Sequence, residues 1–217
     1  MDAKLKTKPS SKVIRPDEIT SLLQKGEFGA MLDFTVTDKD GKVTRQESRK
    51  SESYVKQFLQ ILFITMASSV VTTHNIQDTA NVTRNPIRDG NTFLTEAGSG
   101  NTSYGIMVGT DTTPVTIDDY SLVAPIAHGS GSGQVQYGGT AFGAPSADST
   151  TSQLTITRNF ANNSGALITV NEIALYCKAA DANTIYYFMI IRDIISGGID
   201  IPDGQTLTVN YRPQATI

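Results

Sequence analysis

Two segments decide the fold class: LITVNEIALYC, residues 167–177, and IYYFMIIRDII, residues 185–195. Both are rich in β-branched and aromatic residues, which favour strands, and no helical pattern lies between them. The second segment is apolar on both faces, which predicts a central strand. The two segments therefore predict that the C-terminal half of the chain is built around long β-strands.

Further strands are predicted on both sides of this pair. Residues 28–36 alternate between apolar and small or polar side chains, and an Asp40–Gly41 turn leads into a polar returning strand. SYGIMVG, SQLTITRNF and IPDGQTLTVNY supply more strands. Strands at this spacing are typical of sandwiches. We therefore predict a mainly β fold, an antiparallel β-sandwich of the jelly-roll-like kind, with one N-terminal helix and an extended N-terminal arm.

The helix is predicted to run from Ser53 to about Val71, with Ser51 or Ser53 as its N-cap. Its apolar residues cover more than one stripe, so the helix must be covered on most sides. In a chain of this size, packing between subunits is one way to cover it. The predicted interface consists of Tyr54, Phe58, Leu59, Leu62, Phe63 and Met66.

The chain is predicted to have three segments. Residues 1–26 are a basic arm with few apolar residues, which needs a partner surface to become ordered. Residues 27–102 hold the hairpin, the helix and a long polar loop, and residues 103–217 form the β-sandwich domain. A long loop in a small domain is typical of a segment that binds something or spreads over a neighbour.

Composition argues against several classes of protein. The net charge of −3 gives no overall attraction to nucleic acid, so no nucleic-acid partner is expected. The apolar run from Phe58 to Val71 is too short to span a membrane, so no membrane partner is expected either. The single cysteine, Cys177, lies in an apolar strand, which favours a buried structural thiol and excludes an internal disulfide.

The segment GTDTTPVTIDDY contains three carboxylates and permits two interpretations. Asp111, Asp118 and Asp119, with threonine hydroxyls, are oxygen ligands of the kind that calcium takes, but their spacing is not that of a calcium loop. Alternatively, Thr116 caps a short helical turn that places Asp118 and Asp119 where a helix dipole favours acids. The capped turn is the favoured interpretation, and no metal site is predicted.

No catalytic residue or cofactor is predicted. His74 and His128 lie far apart, and neither is set beside a nucleophile. Glu172 and Asp193 are the better candidates for a glycosidase pair. Arg158 and Arg192 lie on neighbouring predicted strands, however, and favour salt bridges to those carboxylates over catalysis.

Four segments of the β region resemble virion structural proteins of tailed bacteriophages, over about residues 103–212. They are GIMVGTDTTPVTIDDYSLVAPI, GQVQYG, LTITRNFANNSGALITVNEIALY and FMIIRDIISGGIDIPDGQTLTVNY. This chain has Asp111 where a small residue is common in such proteins, and Ala174 where glycine is common. The resemblance implies a non-enzymatic component of the capsid, neck or tail, made in the host bacterial cytoplasm and located in the virion. Its partners would be copies of itself and other virion proteins.

Two alternative functions remain open at this point. A module that binds a host-surface glycan would need an aromatic platform, for which Tyr104, Tyr120 and Tyr137 are candidates. A depolymerising enzyme is the other alternative, and it would need an acid–base pair of the kind considered above.

Overall fold

The computed structural model describes residues 22–51, 53–67, 75–181 and 183–217. The predicted arm up to residue 21, the predicted end of the helix at Val71 and His74 lie outside these residues. The described elements are β1 (Phe28–Thr37), β2 (Val43–Ser51), α1 (Lys56–Met66), β3 (Ile76–Gln77), β4 (Thr83–Arg84), β5 (Gly105–Gly109), β6 (Gln136–Tyr137), β7 (Ala141–Ala147), β8 (Thr151–Ala161), β9 (Ile168–Asp181), β10 (Thr184–Ile201) and β11 (Thr206–Thr216).

The predicted N-terminal hairpin is present as β1 and β2. Gly41 has a φ of +79°, and the Asp38 carboxylate accepts hydrogen bonds from the backbone N–H groups of Asp40 and Lys42. This arrangement closes the turn, because glycine adopts positive φ without strain. The alternation of residues 28–36 predicts that Phe28 lies on the buried face of this strand, but Phe28 is 63% exposed, at the end of the strand opposite Ala215.

The larger sheet has six antiparallel strands in the order β2–β1–β11–β8–β6, and β7 also pairs with β8. The C-terminal strand β11 therefore lies between β1 and β8, which joins the two ends of the described chain. β6 and β7 follow one another along the outer side of β8. Strands from the predicted segments 27–102 and 103–217 thus share one sheet.

The second sheet has three strands in the order β10–β9–β5. The prediction that β10 is central is wrong, since β9 takes that position. The outer side of β10 is covered by irregular chain: the backbone N–H of Val55 donates to Ile190 O at 3.3 Å, and Arg192 N–H donates to Ser53 O at 3.1 Å. This covering explains why a strand at the edge of the sheet is apolar on both faces.

One continuous hydrophobic core holds side chains from both sheets and from α1, including Phe34, Phe160, Phe188 and Leu207. The prediction of a mainly β fold with antiparallel sheets and one helix is confirmed for the described residues.

The helix begins later than predicted. Its N-cap residue is Val55, and no side chain caps it. Neither Ser51 nor Ser53 is the cap, because the helix starts at Lys56, directly after Val55, whose backbone is extended. Ser51 pairs with Ala30 as the last residue of β2. Gln57, Ile61 and Ile64 form the buried side of α1.

Candidate functional site

The six predicted interface residues divide into two groups. Leu59 is 67% exposed, Met66 is 74% exposed and Phe63 is 50% exposed. Tyr54, Phe58 and Leu62 are half-buried. Leu59 and Met66 are seven residues apart and therefore lie on the same side of the helix. The structure thus brings exposed apolar side chains together along two turns of α1.

Phe28 extends this group beyond the helix. Its ring centroid lies 6.2 Å from that of Tyr54 and 6.4 Å from that of Phe58, and the latter two rings are 4.5 Å apart. Burial, followed by the charge of Asp193, raises the pKa of Tyr54 to about 12. We call Phe28 and the six residues of the previous paragraph the α1 surface. Contiguous exposed apolar groups of this kind typically mark sites of association.

The acidic segment is held by one buried arginine. The Arg192 side chain is 1% exposed, and its guanidinium lies 2.9 Å from the Glu172 carboxylate, 2.8 Å from Asp119 and 3.8 Å from Asp111. It also donates to Thr113 O at 3.1 Å. Burial alone would lower the pKa of Arg192, but the hydrogen bonds to Asp119 and Glu172 raise it above its ordinary value. The ion-pair interpretation of Glu172 is therefore confirmed.

Asp118 and Asp119 have different roles in the turn. The backbone N–H of Thr116 donates to Asp119 Oδ2 at 3.1 Å, and Thr116 Oγ1 donates to Asp119 Oδ1 at 2.8 Å. The residues form a turn and not a helix. Burial opposes ionisation of Asp119, but the bonds from Thr116 and Arg192 lower its pKa. Asp118 points outward, with a 75% exposed side chain that pairs with Lys56 at 2.7 Å.

Glu172 and Asp193 are both bonded to neighbouring parts of the chain. Glu172 accepts backbone hydrogen bonds from Val123 at 3.2 Å and Ala124 at 2.8 Å, in addition to pairing with Arg192. Asp193 Oδ2 accepts from Ser51 Oγ at 2.7 Å and from the Tyr211 hydroxyl at 3.2 Å. Each carboxylate is used to hold neighbouring segments of the chain together.

Among the residues that the structure describes, Arg158 bonds to backbone oxygens and not to a carboxylate, contrary to the sequence-based interpretation. Its side chain is fully buried, and its guanidinium donates to backbone oxygens of Gly138 at 2.9 Å, Ile106 at 2.9 Å, Tyr104 at 3.2 Å and Asn101 at 2.5 Å. Burial lowers the pKa of Arg158 to about 10, so the side chain still carries its charge at neutral pH. No sequence motif signals this role, because the acceptors are backbone atoms.

The remaining candidates are His128, the three tyrosines and Cys177. His128 is exposed, and its Nδ1 accepts from the backbone N–H of Tyr137 at 3.0 Å. Tyr137 is 1% exposed and donates to Ile126 O at 2.8 Å, so it is not an aromatic platform. Tyr104 and Tyr120 are half-buried. Cys177 is buried, as predicted, and burial raises its thiol pKa.

The described residues contain no group of three or more His, Cys, Asp or Glu side chains placed to hold a metal ion. Within the same residues, no helix is long and apolar enough to cross a membrane.

Comparison of the chain with protein-family models, with curated proteins and with solved structures finds no match. The resemblance to phage virion proteins therefore stays a prediction.

Proposed function

We propose that this protein is a non-enzymatic structural component of a tailed bacteriophage particle, in the capsid, neck or tail, and that copies of the chain associate through the α1 surface. The observation that carries this proposal is the set of exposed apolar side chains on the α1 surface, above all Phe28, Leu59 and Met66. The segments that resemble virion proteins support the location in a phage particle.

A second copy of the chain is the partner that this surface fits best. Large apolar side chains cover roughly 200 Å² each, so the exposed parts of Phe28, Leu59 and Met66 offer roughly 400 Å². That is about half of what one partner buries in a standard interface, which suits an apolar centre surrounded by a polar rim. α1 carries one charged side chain, Lys56 at its start, and it pairs with Asp118, so two copies would meet without strong charge repulsion. A two-fold interface would bury the same surface on both copies.

Charge placed on the α1 surface should separate the subunits. We expect Leu59→Asp and Met66→Asp to shift the protein from an oligomer to a monomer, as measured by sedimentation velocity. Leu167→Asp is the matched control, because Leu167 is 58% exposed but lies outside the α1 surface. A wild-type protein that is monomeric at micromolar concentration, or an oligomer unchanged in both α1 variants, would contradict self-association through this surface.

The location in the particle needs a separate test. Immunogold labelling of purified phage particles with an antibody to this chain should place the protein at one site on the capsid, neck or tail. Purified particles that lack the protein would refute its role as a virion component, whatever its oligomeric state.

We further propose that the two sheets face each other as a jelly-roll-like sandwich. Support comes from side chains that join the sheets, since Asp193 of β10 bonds to Ser51 of β2 and Tyr211 of β11. An experimental structure would test this arrangement through the crossing angle of the sheets.

The predicted role of the arm in particle contacts can be tested by truncation. Residues 22–26 should be kept, because Gly26 N–H donates to Thr216 O at 3.0 Å and Leu23 is buried. Deletion of residues 1–21 should therefore leave the fold intact while reducing incorporation into particles. Normal incorporation of the truncated chain would contradict the proposed role.

A further inference from the structure

A pocket of about 310 Å³ lies where β5, β9 and β10 meet the loops before and after β5. Its volume is at the lower end of the range for ligand pockets. Its lining includes Tyr176, Leu122 and Tyr187. Four further lining residues, Thr79, Thr102, Ser103 and Ser121, carry hydroxyl groups, and no charged side chain is among the lining residues.

Tyr176 supplies a hydrogen-bond donor to this pocket. Tyr176 is only 6% exposed. Its hydroxyl oxygen accepts a hydrogen bond from the backbone N–H of Leu122 at 2.6 Å. Among the described residues, none accepts the hydroxyl hydrogen of Tyr176. A buried phenol usually has a partner for its hydrogen. A ligand oxygen in the pocket would supply that partner.

Tyr187 supplies an aromatic wall that is held in place. Its ring is stacked on that of Tyr104, with centroids 5.8 Å apart and an angle of 11° between the planes. Lys178 Nζ lies 4.9 Å from the centre of the Tyr104 ring, which adds a cation–π contact. The backbone of Tyr187 is fixed as well, because Thr79 N–H donates to Tyr187 O at 2.9 Å. The wall is therefore present before any ligand binds.

We propose that this pocket binds one neutral pyranose unit of a glycan. A pyranose presents apolar C–H groups on its ring faces and hydroxyl groups around its edge. The C–H groups fit the Tyr187 ring, and the hydroxyls fit the side chains of Thr102, Ser103 and Ser121 and the free donor of Tyr176. The absence of a charged lining residue favours a neutral sugar over an acidic one. The pocket shares no residue with the α1 surface, so the two sites are independent.

The proposal is tested by titrating the full-length protein with methyl pyranosides and following saturation-transfer NMR. The probes are the methyl glycosides of glucose, galactose, mannose and N-acetylglucosamine, with methyl glucuronide as the acidic comparison. We expect at least one neutral glycoside to bind with a dissociation constant of about 1 mM, an affinity typical of a weak single-site ligand. Failure of every neutral glycoside to bind at about 50 mM, or tighter binding of the glucuronide, would overturn the proposal.

Variants of the lining residues test whether the glycoside binds in this pocket. Tyr187→Ala should weaken binding by about tenfold or more, which corresponds to the loss of one aromatic contact. Tyr187→Phe keeps the ring and should bind within about threefold of wild type. Tyr176→Phe should weaken binding by about fivefold through loss of the donor. Phe142→Ala is the control, because Phe142 is 48% exposed on β7 and does not line the pocket.

A second variant guards against a folding defect in Tyr176→Phe, which also removes the acceptor for Leu122 N–H. Thr102 is exposed, and Thr102→Val removes its hydroxyl with little change in shape. We expect it to weaken binding by about threefold with an unchanged thermal midpoint. Equal binding by wild type, Tyr187→Ala and Thr102→Val would place the sugar elsewhere and overturn the assignment.

Discussion

Replacing Arg192 with methionine should destabilise the protein strongly. Methionine has a similar length but no charge, so the substitution leaves the fully buried Glu172 carboxylate without its cation. At an effective dielectric constant of about 20, a contact of 2.9 Å corresponds to about 6 kcal/mol of gross attraction. Desolvation of the two groups offsets part of this attraction in the wild type.

The net loss of stability depends on the hydrogen bonds that Glu172 keeps in the variant. Removing one partner of a buried ion pair typically costs about 3–5 kcal/mol. Glu172 retains two backbone donors, Val123 and Ala124, which places the expected loss near the lower end, at about 3 kcal/mol. The variant also loses the hydrogen bonds from Arg192 to Asp119 and Thr113, which adds to the loss of stability. With a urea m-value of about 2 kcal/mol/M, the unfolding midpoint should fall by about 1.5 M.

Urea unfolding at pH 7, followed by far-UV circular dichroism because the chain has no tryptophan, measures this loss. Lys56→Met is the control, since the Lys56–Asp118 pair is exposed and should contribute about 0.5 kcal/mol or less. The double variant Arg192→Met/Glu172→Gln should recover about 1 kcal/mol or more, because no unpaired charge is then buried. A loss below about 1 kcal/mol for Arg192→Met, or a double variant no more stable than the single one, would refute the reasoning.

Four other changes give measurable outcomes. Gly109→Ala should lower the free energy of unfolding by about 2 kcal/mol or more, as measured in urea, because the new Cβ would lie 2.7 Å from Ala124 O and collide with Glu172. Gly90→Ala is the control: the space around Gly90 is open, so the loss should be about 1 kcal/mol or less. Gln57→Leu should raise the free energy of unfolding by about 1 kcal/mol, because both polar side-chain atoms of Gln57 are buried without a hydrogen-bond partner among the described residues; a less stable variant would indicate a partner. The free energy of unfolding should be retained near pH 5 and fall below about pH 4. The pKa of Asp119 is lower in the folded state, so ionised Asp119 stabilises the fold above its unfolded-state pKa, and this contribution is lost as the pH drops through its folded-state pKa. An unfolding midpoint that does not change with acid would contradict this. Cys177 should react with a thiol reagent only at the rate of unfolding, so fast reaction of the native protein would contradict its burial.

The elements with local signals were predictable from the sequence. The β1–β2 hairpin follows from alternation and an Asp-Gly turn, and β9 follows from its apolar and β-branched residues. β7 has no such signal, because AFGAPSA contains glycine and proline and all of its residues are exposed. The strand order could not be predicted from the sequence either, because the position of β11 between β1 and β8 depends on pairing between distant parts of the chain.

The candidate site was predictable to a similar extent. The apolar excess of α1 led to the prediction of a subunit interface, but the helical pattern alone did not show that Ile61 and Ile64 face the core while Leu59 and Met66 face outward. Charge types on neighbouring strands predicted ion pairs of Glu172 and Asp193 with Arg158 and Arg192, and of these the Glu172–Arg192 pair is present, whereas Arg158 bonds to backbone oxygens. The pocket at Tyr176 and Tyr187 was not predicted, because its lining residues come from segments far apart in sequence.

The two buried arginines, Arg158 and Arg192, stabilise the loops on either side of β5 in different ways. The loop before β5 has little regular secondary structure, so its carbonyl groups need donors, and Arg158 supplies them to Asn101 and Tyr104. Arg158 also donates to Ile106 O near the start of β5. The loop after β5 carries the carboxylates of Asp111 and Asp119, and Arg192 pairs with both.

The same two loops carry the hydroxyl groups of Thr102, Ser103 and Ser121 in the proposed pyranose pocket. Binding groups are effective when the residues that support them are rigid. Arg158→Lys, which keeps the charge but loses the planar set of donors, should therefore weaken glycoside binding although Arg158 does not line the pocket. The measurement is the same NMR titration, at a temperature where circular dichroism shows the variant folded. Binding equal to wild type in a folded Arg158→Lys protein would show that the loop before β5 is held by its other contacts.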